Sequence, residues 1–322
     1  MKVYCDIHTH NIYSNCCNDP KASTLAYIEK AEELGNRVFG LSNHIWDERV
    51  KGASSWYRHQ TIARAEEAKA YFSKASPSMR MLFGLESEYY SCFDRLGISE
   101  EGADHFDYIL IPHSHIHMRN YVMWDFPEIV EAREEIRRKL AEVFPYIPEK
   151  QVNLMVDTLS EAHIKAIFPD LKIDCKTHVN KSMIDSFLSL FENDVFLKII
   201  QKKPVSIAHS FSPCGVPSNE VNDYLKLIPD ETFEKCYKKA AVAGVAIELG
   251  LNSIRLADEN LATNQLIRAY SIAKRVGCKF TFATDSHGVK DLERVRYGTT
   301  VATHMGLKKS DVAEFIRDGV EE

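Results

Sequence analysis

Residues 3–10 read Val3-Tyr4-Cys5-Asp6-Ile7-His8-Thr9-His10. A short apolar run ends on two histidines two apart. Side chains alternate along a strand with period two, so His8 and His10 point the same way and both imidazoles can reach one cation. Asp6, just before them, is placed to orient one ring from behind.

The pattern recurs six more times. Residues 38–41 lead to His44, residues 81–85 to Glu86, and residues 108–111 to His113 and His115. Residues 205–208 lead to His209, residues 245–247 to Glu248, and residues 280–283 to Asp285 and His287. Strands of a parallel barrel all deliver their C-terminal ends to one face, so residues far apart in sequence meet in one pocket. Imidazoles and carboxylates gathered there suit zinc, manganese or iron.

Helical periodicity fills the intervals. Residues 24–34 carry apolar positions at Leu25, Ile28, Ala31 and Leu34, closed by Gly35 as a C-cap. Residues 60–75, 232–243 and 261–276 repeat the pattern. Strand and helix alternating over short connections indicate a parallel sheet. The expected fold is therefore α/β, a distorted seven-stranded (β/α)7 TIM-like barrel forming a single domain over residues 1–322. Residues 118–203 break the rhythm with helical patterns at 127–143, 150–167 and 181–200. They read as a helical insertion, either a lid or substrate-selecting cap over the mouth or a structural, dimerising appendage. Residues 291–322 read as one or two closing helices, with 311–317 amphipathic.

Bulk composition narrows the classes. The chain has 322 residues, 45% hydrophobic and 27% charged, with a net charge of -6. An acidic balance without a basic stripe argues against a nucleic-acid partner. No apolar stretch approaches the length of a membrane helix. The first residues enter a strand with no signal-peptide pattern, and eight cysteines lie scattered without a framework. Both features lead to the expectation of a cytoplasmic protein with reduced thiols.

Not every candidate is resolved by spacing. His113, His115 and His117 lie two apart, and spacing alone does not choose a ligand among them. Glu88 competes with Glu86. His44 and His209 each fall where a ligand is wanted.

Taken together, His8-Thr9-His10, Asn43-His44, Gly84-Leu85-Glu86, His115, Ala208-His209 and Thr284-Asp285-Ser286-His287 resemble, in order, the motifs of the PHP family (polymerase and histidinol phosphatase). That resemblance implies a metal-dependent hydrolase with two to three divalent ions: zinc, manganese or iron. It implies that His8, His10, Glu86 and Asp285 hold one ion, and that Glu86 bridges to a second held by His115 and His209. His44 and His287 would belong to a third. The third ion usually has a further ligand after the first motif, where this chain has Cys16. A thiolate there would favour zinc, and Asp19 is a possible substitute. Histidinol-phosphate phosphatases of the family carry an arginine seven residues after a strand-end glutamate. Glu248 and Arg255 reproduce that spacing, which implies an arginine fork on the phosphate.

The resulting expectation is hydrolysis of a small phosphomonoester, such as histidinol phosphate, by hydroxide held between the ions. Asp285 and His287 are the expected catalytic groups, and Arg255 and His117 the expected substrate contacts. The rival readings are a phosphodiesterase or other hydrolase of the same fold, or a non-catalytic metal-binding module. A nucleotide-sized pocket would place Tyr121, Trp124 and Phe126 near the mouth.

Overall fold

The computed structural model describes residues 1–75 and 77–322. Seven parallel strands form one sheet: β1 Cys5–Asp6, β2 Val38–Leu41, β3 Arg80–Glu86, β4 Tyr108–Pro112, β5 Val205–Ala208, β6 Ala246–Gly250 and β7 Phe280–Ala283. They pair in strict sequence order. The two edges approach one another. The Ile7 amide donates to the Phe282 carbonyl at 3.2 Å and the His10 amide to the Ser286 carbonyl at 2.9 Å. Thr9 and Ser286 form a parallel bridge. The sheet is thus a nearly closed, seven-stranded barrel, as its strand count implied.

Why the strands lie where they do is visible in their composition. β4 is buried along its whole length, as a strand flanked on both faces must be. Tyr108 within it crosses the barrel interior and donates a hydrogen bond to the Ile7 carbonyl. Two neighbouring strands make room for its ring. A Cβ on Gly40 would lie 2.3 Å from the Tyr108 hydroxyl, and one on Gly84 would lie 2.2 Å from its ring carbon. Any larger residue at either position would expel the tyrosine.

The helices start where a side chain can cap them, which shifts several expected boundaries. The segment expected at 60–75 begins at Ile62, because Thr61 accepts from the Arg64 amide. It ends at Lys69, and a separate turn spans Phe72–Ala75. The stretch 150–167 is two helices, Glu149–Asp157 and Glu161–Ile167, divided where Ser160 accepts from the His163 amide. The stretch 181–200 is likewise two, Cys175–Leu190 and Asp194–Ile199, divided at the Asn193 cap. The helix expected from 261 begins at Gln265, behind the Asn264 cap. The helix Pro127–Val143 runs as its periodicity indicates.

The tail keeps one closing helix, Tyr297–His304, and departs from expectation beyond it. Residues 311–317 form no α-helix. Two short 3₁₀ turns, Lys309–Asp311 and Glu314–Gly319, lead into a strand, Val320–Glu321, that pairs antiparallel with Lys2–Val3. The expected first strand therefore divides in two, one part serving the tail and one the barrel.

Within residues 118–203, the helix Cys175–Leu190 packs on the helices Val221–Leu225 and Asp230–Val242. Val179, Met183, Phe187 and Leu190 form its buried stripe. Among the described residues, no helix is long and apolar enough to cross a membrane.

Candidate metal centre

The C-terminal ends of the strands surround one cavity of about 460 Å³. Cys16, His44, Glu86, His115, His117, His209, Asp285 and His287 line it. His8 and His10 lie at its floor, fully buried.

Glu86 is the centre of the arrangement, and its two oxygens face different partners. Oε2 lies 3.1 Å from His8 Nε2, 3.2 Å from His10 Nε2 and 3.3 Å from His44 Nδ1. Oε1 lies 3.3 Å from His209 Nε2 and 3.7 Å from His115 Nε2. Asp285 Oδ1 closes the first group at 3.2 Å from His10 Nε2. Four sets of ligand atoms lie mutually within 4.8 Å: His8, His10 and Glu86; Glu86, His115 and His209; His8, His209 and Asp285; and His10, Cys16 and His287.

These residues fit divalent cations. Donor atoms bound tetrahedrally to zinc stand about 3.3 Å apart, given bonds of about 2.0–2.1 Å. The His8, His10 and Glu86 atoms stand 3.0–3.2 Å apart. Among the described residues, Glu86 Oε1 and His10 Nδ1 are buried with no hydrogen-bond partner, a costly state for polar atoms unless something else engages them. The donor set is also one that transition metals choose.

The electrostatics record the crowding. Burial alone would raise the Glu86 carboxyl, but the imidazoles of His44 and His8 outweigh it and hold it well below the carboxylate range. Asp285 is held low in the same way, against its burial, by His209, His10 and His8. Burial would depress His115, yet Glu88 and Cys214 raise it well above 6.5. His209 rises to about 9, where Asp285, Cys214 and Glu86 overcome burial. Cys16 is pulled down to about 3 despite its burial, by His10, His44 and His287. A thiolate at that position is ready to act as a soft ligand.

Two ligand candidates sit in an unusual backbone state. His209 has φ 50° and Asp285 φ 51°, left-handed values that cost a non-glycine residue of the order of 1–3 kcal/mol. The turn aims both side chains back over the strand ends. Period-two alternation could not have anticipated it.

Several residues fall elsewhere than expected. His113 lies outside the cavity, packed against Phe187 and Phe211. Its Nδ1 donates to the Met183 carbonyl at 3.1 Å and its Nε2 accepts from the Phe211 amide at 3.1 Å. Burial lowers it to about 3, so it stays neutral. His113→Ala should cost about 3 kcal/mol of stability and leave the bound-metal content unchanged. Thermal melting and elemental analysis on one preparation check both.

Arg255 does not reach the cavity. The chain enters the helix Leu251–Ala257 directly after β6, and Arg255 faces a separate depression lined with Lys290, Arg294, Arg296 and Tyr297. Arg255 is the fifth residue of that helix, a little over one turn beyond β6, which carries the guanidinium around the outside. Arg255→Ala should change kcat/KM on a phosphomonoester by no more than about twofold, as for an ordinary surface position. A hundredfold loss would restore it to the site.

His44 lines the cavity, but its Nδ1 turns to Glu86 and to the Tyr57 hydroxyl at 3.2 Å, while Cys16 and His287 group with His10. Asp19 accepts from the Lys21 and Val289 amides and joins none of the ligand groups. Tyr121, Trp124 and Phe126 do not line the cavity, whose aromatic wall is Trp56 and Tyr57. Asp6 orients no ring, since it accepts from the backbone amides of His8 and Thr284 and from the Thr284 hydroxyl. Glu248 fills that role, with Oε2 2.7 Å from His8 Nδ1.

Sequence reasoning passed over Tyr57, Trp56, Met118 and Cys214. None follows a strand directly, and the linear pattern carries no signal for them. Glu88 was visible only as a rival of Glu86. It accepts from His115 Nδ1 at 2.8 Å and from the Tyr57 hydroxyl at 3.0 Å.

A seven-stranded parallel barrel with imidazoles and carboxylates at its C-terminal mouth is the PHP type of fold. Among solved structures, the chain is similar to the histidinol phosphate phosphatase (HISK) of Lactococcus lactis subsp. lactis Il1403, determined with zinc, L-histidinol and phosphate. The two share 13% identity at a TM-score of 0.56, over 96% of this chain and 95% of that one. The likeness establishes the fold. No protein-family model matches the chain, and no curated protein matches it.

Proposed function

We propose that the protein is a metal-dependent phosphoesterase acting on a small phosphomonoester, with histidinol phosphate the first substrate to test. One observation carries the reading. The two oxygens of Glu86 face separate imidazole groups, His8, His10 and His44 on one side and His115 and His209 on the other. A bridging carboxylate between two cation sites has that disposition. Cys16 and His10, with His287 when it is not carrying a proton, would supply a further site, with zinc favoured by the thiolate. The likeness in fold to a phosphatase determined with zinc and phosphate is consistent with this. We read residues 118–203 as an insertion within one barrel domain.

Divalent cations, when bound, would supply Lewis acidity, acidifying water and neutralising phosphate charge. The chain's own groups would do the rest. No lysine or arginine is among the described residues lining the cavity, so the imidazoles would meet the phosphate beside the cations. Asp285, a quarter exposed beside His10 and His209, is placed to orient the attacking water. His287 Nδ1 donates to the Asp285 carbonyl at 2.9 Å, which leaves its other nitrogen towards the cavity. Burial would lower His287, but Cys16 and Asp285 raise it. It can therefore hold the proton that the leaving oxygen needs. His117 lines the same wall, and Trp56 and Met118 offer apolar surface to the leaving group.

The test is elemental analysis of the purified protein, then a screen of phosphomonoesters that includes histidinol phosphate and of phosphodiesters beside them. Cations and monoester turnover are expected. Bound cations with activity on diesters alone would replace the substrate class, and a cation-loaded protein inert to both would overturn the enzyme.

A further inference from the structure

Two buried side chains, Glu88 and Tyr57, tie together two of the candidate ligand histidines. Glu88 Oε2 lies 2.8 Å from His115 Nδ1 and 3.0 Å from the Tyr57 hydroxyl. The same hydroxyl lies 3.2 Å from His44 Nδ1. Tyr57 is 1% exposed and Glu88 fully buried, so solvent cannot substitute for either. The tyrosine ring is held by Trp56 at 4.7 Å and Trp46 at 5.7 Å between centroids.

Counting protons fixes the direction of each bond. An ionised carboxylate only accepts, so both the phenol and His115 Nδ1–H donate to Glu88. The phenol has one proton and spends it there. Its oxygen must then accept from His44 Nδ1–H. When a cation is to be bound, both histidines keep the proton on Nδ1 and offer the lone pair of Nε2. His44 Nδ1 also lies 3.3 Å from Glu86 Oε2, so only its Nε2 is free for a cation. For His115, Nε2 is the nitrogen that faces Glu86 Oε1, at 3.7 Å. Histidines that hold metals commonly have the remote ring nitrogen fixed in this manner, and loss of the partner typically costs 10–100-fold in affinity.

We propose that Tyr57 and Glu88 are positioning residues that set the tautomer of His44 and His115 together, and so couple the His44 end of the cluster to the His115 end. The elements involved make the coupling more than a local clamp. Glu88 follows β3, while Tyr57 comes from the segment between β2 and the helix Ile62–Lys69. A cation that orders one ring therefore strengthens the acceptor of the other. The proposal rests on the reading that these histidines bind cations.

The experiment measures zinc affinity by chelator competition, alongside thermal stability of the zinc-free protein. Tyr57→Phe keeps the ring and its packing and removes only the hydroxyl. It should weaken zinc by about tenfold while the zinc-free protein melts as the parent does. Glu88→Ala should weaken zinc at least as much, and Glu88→Gln, which keeps an acceptor oxygen, should recover most of that loss. Because Glu88 fixes the direction in which the Tyr57 hydroxyl points, and so its ability to accept from His44, the Tyr57→Phe/Glu88→Ala double variant should bind zinc within about twofold of Glu88→Ala alone. Losses that multiply in the double variant would make the two residues independent and overturn the coupling. An unaltered zinc affinity in Tyr57→Phe would overturn it as well. Zinc binding by the parent without phosphoesterase activity would instead remove the functional reading and leave the bridge standing.

Discussion

Glu86→Gln should yield a folded barrel that neither retains cations nor turns over a phosphomonoester. The substitution preserves the shape of the side chain, and β3 keeps its pairing with β2 and β4. It changes only what the two terminal atoms offer. At present both are acceptors, three imidazoles within 3.3 Å of one and two within 3.7 Å of the other. A carboxamide replaces one of them with a donor and removes the negative charge that would lie between two cations. Neither Glu248, engaged with His8, nor Glu88, engaged with His115 and Tyr57, can move into its place, and Asp285 already serves its own imidazoles. Turnover should fall by on the order of 10³-fold, with metal content falling in parallel. In the parent, a cation at a thousandfold excess over its Kd adds about 4 kcal/mol of stability. The variant should lose that gain, and its melting temperature should no longer respond to zinc. Undiminished turnover would sink the assignment of Glu86.

Cation affinity should rise steeply as the pH is raised through the neutral range. In the cation-free fold, His8 is raised well above 6.5 because Glu248 and Glu86 outweigh its burial. His10 is raised against its burial by Cys16 and Asp285, and His209 stands at about 9. A histidine must lose its proton to ligate, so each incoming cation displaces protons that the carboxylates have stabilised. The affinity should change by about tenfold per pH unit for each proton displaced. Cys16, already a thiolate, contributes nothing to this release. The cation-free fold shows the opposite sign. Its histidine–carboxylate pairs contribute fully below 6.5 and are lost as the pH climbs through the raised values, about 9 for His209. Zinc-free protein should therefore be at its best where zinc binds worst. Calorimetry in two buffers of different ionisation heat counts the protons released, and a count of zero would refute the scheme.

How far the sequence could be read depended on where the information lay. Each barrel strand was legible, because an apolar run ending on a titratable residue is a local signal. Residues 8, 10, 86, 209 and 285 were legible for the same reason, and they do converge. Helix ends were less so, since the caps at Thr61, Ser160, Asn193 and Asn264 compete with an apolar stripe that continues past them. The choice of His115 over His113 came from the family resemblance and not from spacing. Alternation gives both the same direction, and only the turn after β4 takes one to the cavity and the other to a pocket of phenylalanines. Arg255 failed on geometry, because a spacing of seven means different things in a loop and in a helix. Tyr57 and Glu88 act through partners that no linear pattern names.

The left-handed backbone at His209 and Asp285 offers a way to recognise lost chemistry in other chains. Glycine occupies that conformation at no steric cost, and asparagine, like the histidine and aspartate now there, at a modest one. A lineage with no further use for cations would drift towards glycine at these two positions first, gaining ease of folding as it went. Copies of this barrel bearing Gly there should be scaffolds whose hydrolytic past has ended, identifiable before any of them is assayed.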